Sequence, residues 1–227
     1  MSSYYLKLIA IITMLIDHVG AVLVPSNTML YIIMRSIGRL SFPIFVFLLV
    51  EGFYHTKDVK KYLLRMGAFA LVSEIPFDLA FDGKLLEFKH QNIFFTLFLG
   101  LLCMYLMKTV EKKYNKNTSG SIIVINLFNA LITLAFCIIA LTLKTDYDYR
   151  GILMIVAFYL FRGSKLLISA SLLFISGYLL KYINIFATAA ILPISFYNGQ
   201  KGKSIKYAFY IFYPAHLLIL ALVNMLL

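Results

Sequence analysis

Charged side chains are scarce in this sequence: they make up 14% of 227 residues against 62% hydrophobic, and the mean hydropathy is +0.88. That scarcity excludes an ordinary soluble domain, in which about a quarter of the residues are charged. No stretch between the apolar runs is long enough for a separate water-soluble unit, so residues 1–227 read as one integral-membrane domain. Cysteine occurs only twice, at Cys103 and Cys137, inside apolar runs and without the spacing of a metal site or disulfide framework; both read as packing residues. A continuous basic patch is missing as well. The net charge is +11, but the basic residues alternate with apolar runs, which argues against a nucleic-acid partner and for membrane topology. No small-x-small cleavage site follows the first apolar run, which Asp17 and His18 interrupt, so that run is expected to be a retained span rather than a secretion signal.

What the chain has in abundance is apolar runs near the length that crosses a bilayer core of about 30 Å. Helices are expected near 6–24, 29–52, 60–81, 91–110, 121–143, 149–162, 165–181, 183–198 and 206–226, which makes an all-α polytopic bundle of about nine spans. The runs between 149 and 198 are short enough to be tilted or re-entrant. Lysine and arginine set the orientation. With the N-terminus cytoplasmic, Lys7, Lys57, Lys60, Lys61, Arg65, Lys108, Lys112, Lys113, Lys116, Arg162, Lys165, Lys201, Lys203 and Lys206 fall inside. Only Lys84, Lys89, Lys144, Arg150 and Lys181 fall outside.

Ionisable residues within spans are costly and persist where they pair or line a cavity. At a rise of about 1.5 Å per residue, Asp17 and His18, Arg35 and Arg39, Glu74 and His216 come to roughly one depth on four helices. Both signs are present, so the carboxylates and arginines either hold the bundle together as pairs or build a reactive cavity. Arg35 and Arg39 are four apart and stack on one face, where Asp17 is expected to meet one of them. Lys7 and His18 are eleven residues apart and project from the same helix face, roughly 16.5 Å apart. Lys7 is then either an anchor for the phosphates of a cytosolic donor or a lysine that snorkels to the interface. In "EGFYHTKDVKK", Glu51 and His55 lie one turn apart at the cytoplasmic end, followed by Lys57, Lys60 and Lys61. The segment is either a receptor for the phosphates of such a donor or a charged helix end. Gly38 and Pro43 suggest close helix approach and a kink. In "TDYDYRG", Asp146, Tyr147, Asp148 and Tyr149 form an outer loop that either contacts an acceptor or is simply solvated, and His90 reads as a surface residue. Tyr210 and Tyr213 either border the cavity or join an aromatic belt.

The segments "LKLIAIITMLIDHVG", "RSIGRLSFPIFVFLLVEGFYHTKDVKKYLLR", "SEIPFDLAF", "QNIFFTLFLGLL" and "FYIFYPAHLLIL" resemble, in order and spacing, those of the TraX family, membrane proteins named for the enzyme that acetylates conjugative pilin. The resemblance is dense to about Gly100, loose from 111 to 205, and dense again at the C-terminus. The basic residue, ten-residue gap and histidine from Lys7 to His18 are also similar to a signature of the broader acyltransferase-3 membrane enzymes. The resemblance points to Lys7, Asp17, His18, Gly38, Arg39, Phe42, Pro43, Glu51, Gly52, His55, Thr56, Glu74 and His216. It implies a membrane acetyltransferase of the bacterial cytoplasmic membrane that uses acetyl-CoA and no metal.

In that scheme His18, Asp17, Arg39, Arg35 and Glu74 are the catalytic candidates, with His18 as general base. Lys7, Glu51, His55, Thr56, Lys57, Lys60 and Lys61 are candidates for coenzyme A, and Tyr149, Tyr213 and His216 for a peptide, pilin or glycan acceptor. Two other functions compete. One is a proton-coupled transporter, which the lack of an inverted repeat weakens; the other is a non-catalytic assembly factor for pilin or another membrane peptide.

Overall fold

The computed structural model describes residues 1–114, 119–179, 182–203 and 206–227. Lys116 and Lys181 lie outside the described residues, as does the side chain of Lys206. The chain folds into α1 (Ser3–Leu23), α2 (Met29–Gly38), α3 (Ser41–His55), α4 (Val59–Phe81), α5 (Ile93–Lys113), α6 (Ser119–Thr142), α7 (Asp148–Leu160), α8 (Lys165–Phe174), a π-helical turn (Ile175–Leu179), a 3₁₀ stretch (Tyr182–Ala190), α9 (Ile191–Ser195) and α10 (Lys206–Leu226). Polar side chains mark several helix starts by taking an otherwise unpaired backbone N–H. Thr28 Oγ1 accepts from Tyr31 N, Asp58 Oδ1 from Lys61 N, Asn92 Oδ1 from Phe94 N and Ser164 Oγ from Leu167 N, at 3.2, 3.0, 3.0 and 3.3 Å.

The expected all-α bundle is present, but among the described residues five helices, not nine, are clear membrane spans by length and composition. Those long and apolar enough to cross a membrane are Ser3–Leu23, Met29–His55 taken as one rod, Ile93–Lys113, Gly120–Thr142 and Phe209–Leu226. Helix α4 has the length, at 23 residues, but Lys60, Lys61, Arg65, Glu74 and Asp78 break its apolar character. Helix α7 has 13 residues, about 20 Å, and the segments Lys165–Leu179 and Ile183–Ser195 are similarly short of a bilayer core. These last two form a hairpin whose ends are tied by Lys165 Nζ donating to Ser195 O at 2.5 Å.

The outward surface is apolar, as lipid requires. On α6, Ile123, Leu131, Leu134 and Ile138 are exposed while Asn129 and Cys137 are buried, the reverse of a helix facing water. Cys103 is buried with Cys137, and both are free thiols.

The rod from Met29 to His55 breaks at Arg39 and Leu40. Pro43 causes it: proline has no N–H for the carbonyl four residues back, and its ring collides with that carbonyl, which belongs to Arg39. Ser41 Oγ donates to Gly38 O at 2.8 Å and satisfies a carbonyl at the broken end. The break turns Arg39 toward the bundle interior.

Helices α1 and α10 run parallel, because Lys7 lies over the Phe209 ring near one end and His18 meets His216 further along. At the end of the bundle nearer His18, the two loops 82–92 and 143–147 are stitched together. Gln91 N donates to Lys144 O at 3.1 Å, and Asp146 N donates to Gln91 O at 2.9 Å. Thr96 Oγ1 donates to Asp146 O. The opposite end gathers the basic residues of α3, α4, α5 and α7, including Lys57, Lys60, Lys61, Lys108, Lys112, Lys113 and Arg162.

Candidate functional site

Asp17 meets both arginines rather than one. Arg35 Nη1 donates to Asp17 Oδ2 at 2.5 Å, and Arg39 Nη2 donates to Oδ1 and Oδ2 at 2.8 and 2.9 Å. Gly38 lets α1 and α2 approach closely enough for this, since a β-carbon there would overlap the Asp17 carboxylate. Arg39 Nε donates to Arg35 O at 3.2 Å, which fixes the guanidinium, while its Nη1 makes longer contacts to the Tyr147 hydroxyl and Asn184 Oδ1 at 3.5 and 3.4 Å. Two guanidiniums against one carboxylate leave the group with a net charge of about +1. Their side chains are only 23%, 13% and 10% exposed, so solvent screens that charge weakly.

His18 Nδ1 lies 2.7 Å from His216 Nε2, and the rings are parallel at a centroid distance of 5.0 Å. His216 Nδ1 in turn lies 2.7 Å from the Phe212 carbonyl oxygen, one turn back on α10. Tyr213 stands edge-on to both imidazoles, and Phe81 edge-on to His18.

These groups line a cavity of about 360 Å³. Its wall includes Asp17, His18, Arg35 and Arg39 on α1 and α2, Phe77 and Phe81 on α4, and Tyr213 on α10, and its rim includes Asp82, His90, Asp146 and Tyr147. A second cavity of about 430 Å³ shares Arg39, His90, Asp146 and Tyr147 and adds Lys144, Asp148, Arg150 and Asn184. Tyr147 lines both. Its ring stacks on Phe42 at 3.8 Å between centroids, and its backbone is left-handed, at φ 64°. Lys144 and Asp148 are also at positive φ, an uncommon conformation for three nearby non-glycine residues. Asp146 is half-buried beside Tyr147, and burial pushes its carboxyl up to about 6 against the pull of Arg39.

The remaining sequence candidates lie elsewhere. Glu74 accepts from Asn92 N at 3.3 Å and from the Asn92 side-chain amide, with its second carboxylate oxygen buried without a hydrogen bond. It does not join Asp17 and the arginines. Lys7 is on the His18 side of α1 but lies against Phe209, and the cavity wall descends α1 only as far as Met14. At the basic end, Arg162 Nε donates to Glu51 Oε1 at 2.7 Å, and the Arg162 guanidinium covers the Tyr54 ring at 4.2 Å. His55 Nδ1 contacts Glu51 O at 2.8 Å. Thr56 Oγ1 donates to Asp58 O at 3.3 Å, Lys61 pairs with Asp58 at 3.6 Å, and Lys57 and Lys60 are exposed. Tyr149 packs against the core under the Arg150 guanidinium and away from the cavity walls. Tyr210 stacks on Phe69. His90 is exposed, as expected, and also borders both cavities. Asp82 and Asn184 line the cavities with no signal for this in the sequence, whereas Asp146 and Tyr147 lie in the loop "TDYDYRG" expected to meet an acceptor or solvent. Among the described residues, no group of three or more His, Cys, Asp or Glu is arranged to hold a metal ion.

A family model described as TraX protein matches residues 2–224. The chain is similar to a protein of Dichelobacter nodosus described as "Probable fimbrial assembly protein FimC, serogroup H1", 31% identical over 252 residues that cover 100% of this chain and 97% of that one. It is also similar to "Uncharacterized protein RP591" of Rickettsia prowazekii, 32% identical over 100 residues, 44% of this chain and 35% of that protein. No solved structure matches it.

Proposed function

The chain belongs to the TraX family, and from that premise we propose that it is a membrane-embedded acetyltransferase. It moves an acetyl group from cytosolic acetyl-CoA to an amine or hydroxyl acceptor, a peptide or pilin N-terminus in the first instance, at or across the bacterial cytoplasmic membrane. The observation that carries this is that the His18 imidazole and the Arg35–Arg39 pair held by Asp17 face one cavity.

The chemistry follows from those groups. His18 takes the proton of the acceptor's neutral amine or hydroxyl as that atom attacks the thioester carbonyl. Negative charge develops on the carbonyl oxygen, and the Arg35 and Arg39 guanidiniums stabilise it. The carbon–sulfur bond then breaks, and His18 returns the proton to the departing thiolate. The two loops that roof the cavity and the second cavity beyond Tyr147 give the acceptor an approach from the end opposite the basic one. Exposed Lys57, Lys60 and Lys61 suit the phosphates of coenzyme A, with Lys7 and the seam between α1 and α10 leading toward His18. The N-terminus is cytoplasmic in this scheme.

The test uses purified protein in liposomes with radiolabelled acetyl-CoA and an acceptor peptide. Label transfer or thioester hydrolysis is expected, and His18→Ala abolishes it without changing the unfolding temperature. Undiminished turnover in that variant removes His18 as the base.

The name of the Dichelobacter relative favours a second function, a non-catalytic fimbrial assembly factor. Binding of a pilin peptide by protein with no affinity for coenzyme A is the result that would select it.

A further inference from the structure

We propose that His216 is a positioning residue that fixes the tautomer of His18, so that His18 presents an unprotonated Nε2 to the cavity. This rests on the acetyl transfer proposed above. The argument is proton bookkeeping along three groups in contact. The Phe212 carbonyl oxygen has no proton to give, so in the 2.7 Å contact with His216 Nδ1 the imidazole must be the donor. A neutral His216 with its proton on Nδ1 carries a lone pair on Nε2. That lone pair faces His18 Nδ1 at 2.7 Å, so His18 must donate from Nδ1. Its one remaining ring nitrogen, Nε2, is then the acceptor. Among the described residues no protein group hydrogen-bonds to it, and the His18 ring lines the cavity.

The chain carbonyl, imidazole, imidazole is the same device by which a carbonyl or carboxylate orients a ligand or base histidine elsewhere. Its backbone end is anchored in α10, within a helical turn, and therefore does not swing. Without it, a free imidazole favours the proton on Nε2, the nitrogen that must be empty for His18 to take a proton from the acceptor. His216 therefore touches neither acceptor nor thioester; it acts through His18. Stacking of the Phe212 and His216 rings, with centroids 4.7 Å apart and planes 15° apart, holds the second imidazole in the plane that this relay requires.

Two variants separate this role from simple packing. His216→Gln retains an oxygen that accepts from His18 Nδ1, whereas His216→Leu fills the space without an acceptor. The Gln variant is expected to keep kcat for acetyl-CoA turnover within about ten-fold of the parent. The Leu variant is expected to lose about a hundred-fold or more in kcat with the KM for acetyl-CoA unchanged. Equal kcat in the two variants, or a loss confined to KM, overturns the positioning role. A readout independent of turnover is the ring-nitrogen NMR spectrum of ¹⁵N-histidine-labelled protein, assigned with His18→Gln and His216→Gln. Both histidines are expected in the Nδ1–H form, and His18 in the Nε2–H form overturns the proposal whether or not the protein is an acetyltransferase. A failed acetyl-transfer reading instead leaves the Nδ1–H signals in place and shows no turnover in the parent.

Discussion

Gly38 of α2 lies so close to Asp17 of α1 that a single added methyl would occupy the space of the carboxylate. The Asp17 pairs with Arg35 and Arg39 therefore depend on a residue with no side chain. Gly38→Ala is expected to destabilise the protein by about 1–3 kcal/mol, as overpacking of a close contact does, and to reduce turnover with it. Gly120→Ala, where an added β-carbon meets nothing within 4 Å, is the matched control and should leave the unfolding temperature unchanged or slightly raised. Thermal unfolding in detergent compares the two.

Removing the carboxylate leaves two guanidiniums facing each other in a weakly solvated site. Asp17→Asn is expected to cost about 3–5 kcal/mol, the usual penalty for breaking a buried pair from one side. Arg35→Met in the Asp17→Asn background should recover part of that loss, because one unpaired charge goes with it. A double-mutant cycle on stability reads this coupling, and additive losses would show that the three groups do not act as a unit.

Tyr147 lines both cavities, and its ring stacks on Phe42 and meets Arg39 while its backbone is left-handed. Tyr147→Ala joins the cavities and admits water to the site. The ratio of acetyl-CoA hydrolysis to acetyl transfer is expected to rise at least ten-fold, while Tyr147→Phe, which keeps the ring, stays near the parent ratio. Released thiol and acetylated acceptor measured in one reaction give the ratio.

Asp146 provides a pH dependence with a definite sign. Burial raises its carboxyl to about 6 in the folded protein, above the unfolded value near 3.9, so the folded state holds the proton more tightly. Its contribution to stability is therefore largest at low pH and is lost as pH rises through about 6. Asp146→Asn is expected to flatten the stability profile between pH 4 and 7 and to be more stable than the parent at pH 7. An unchanged profile would mean that Asp146 is solvated in the folded protein.

Glu51 and Arg162 join α3 to the end of α7 at the basic face. Arg162→Gln frees a buried carboxylate beside the exposed lysines. The KM for acetyl-CoA is expected to change several-fold with kcat nearly constant, and initial-rate kinetics separate the two.

The polar layer was legible in the sequence because depth along a helix is arithmetic: 1.5 Å per residue placed Asp17, His18, Arg35, Arg39 and His216 together. Depth does not give direction around the helix when only one end is known, and so Glu74, at the right height on α4, turns to Asn92 instead. The broken rod was legible in Pro43, since the missing N–H predicts trouble one turn earlier. The loop that holds Asp146 and Tyr147 was legible as a place an acceptor could meet, but loops have no period, so which of its residues face the cavity was not, and Tyr149 sits only two residues away with the same chemistry. The span count failed for two other reasons: α7 and the segments Lys165–Leu179 and Ile183–Ser195 have the composition of a membrane crossing without its length, and α4 has the length but carries five charged residues.

The pairing of His18 with His216 joins residues 198 positions apart in the chain. A ribosome making this protein releases the first imidazole long before the second exists, so the pair cannot assemble until α10 has joined the bundle. A copy cut short ahead of that helix has His18 without its imidazole partner.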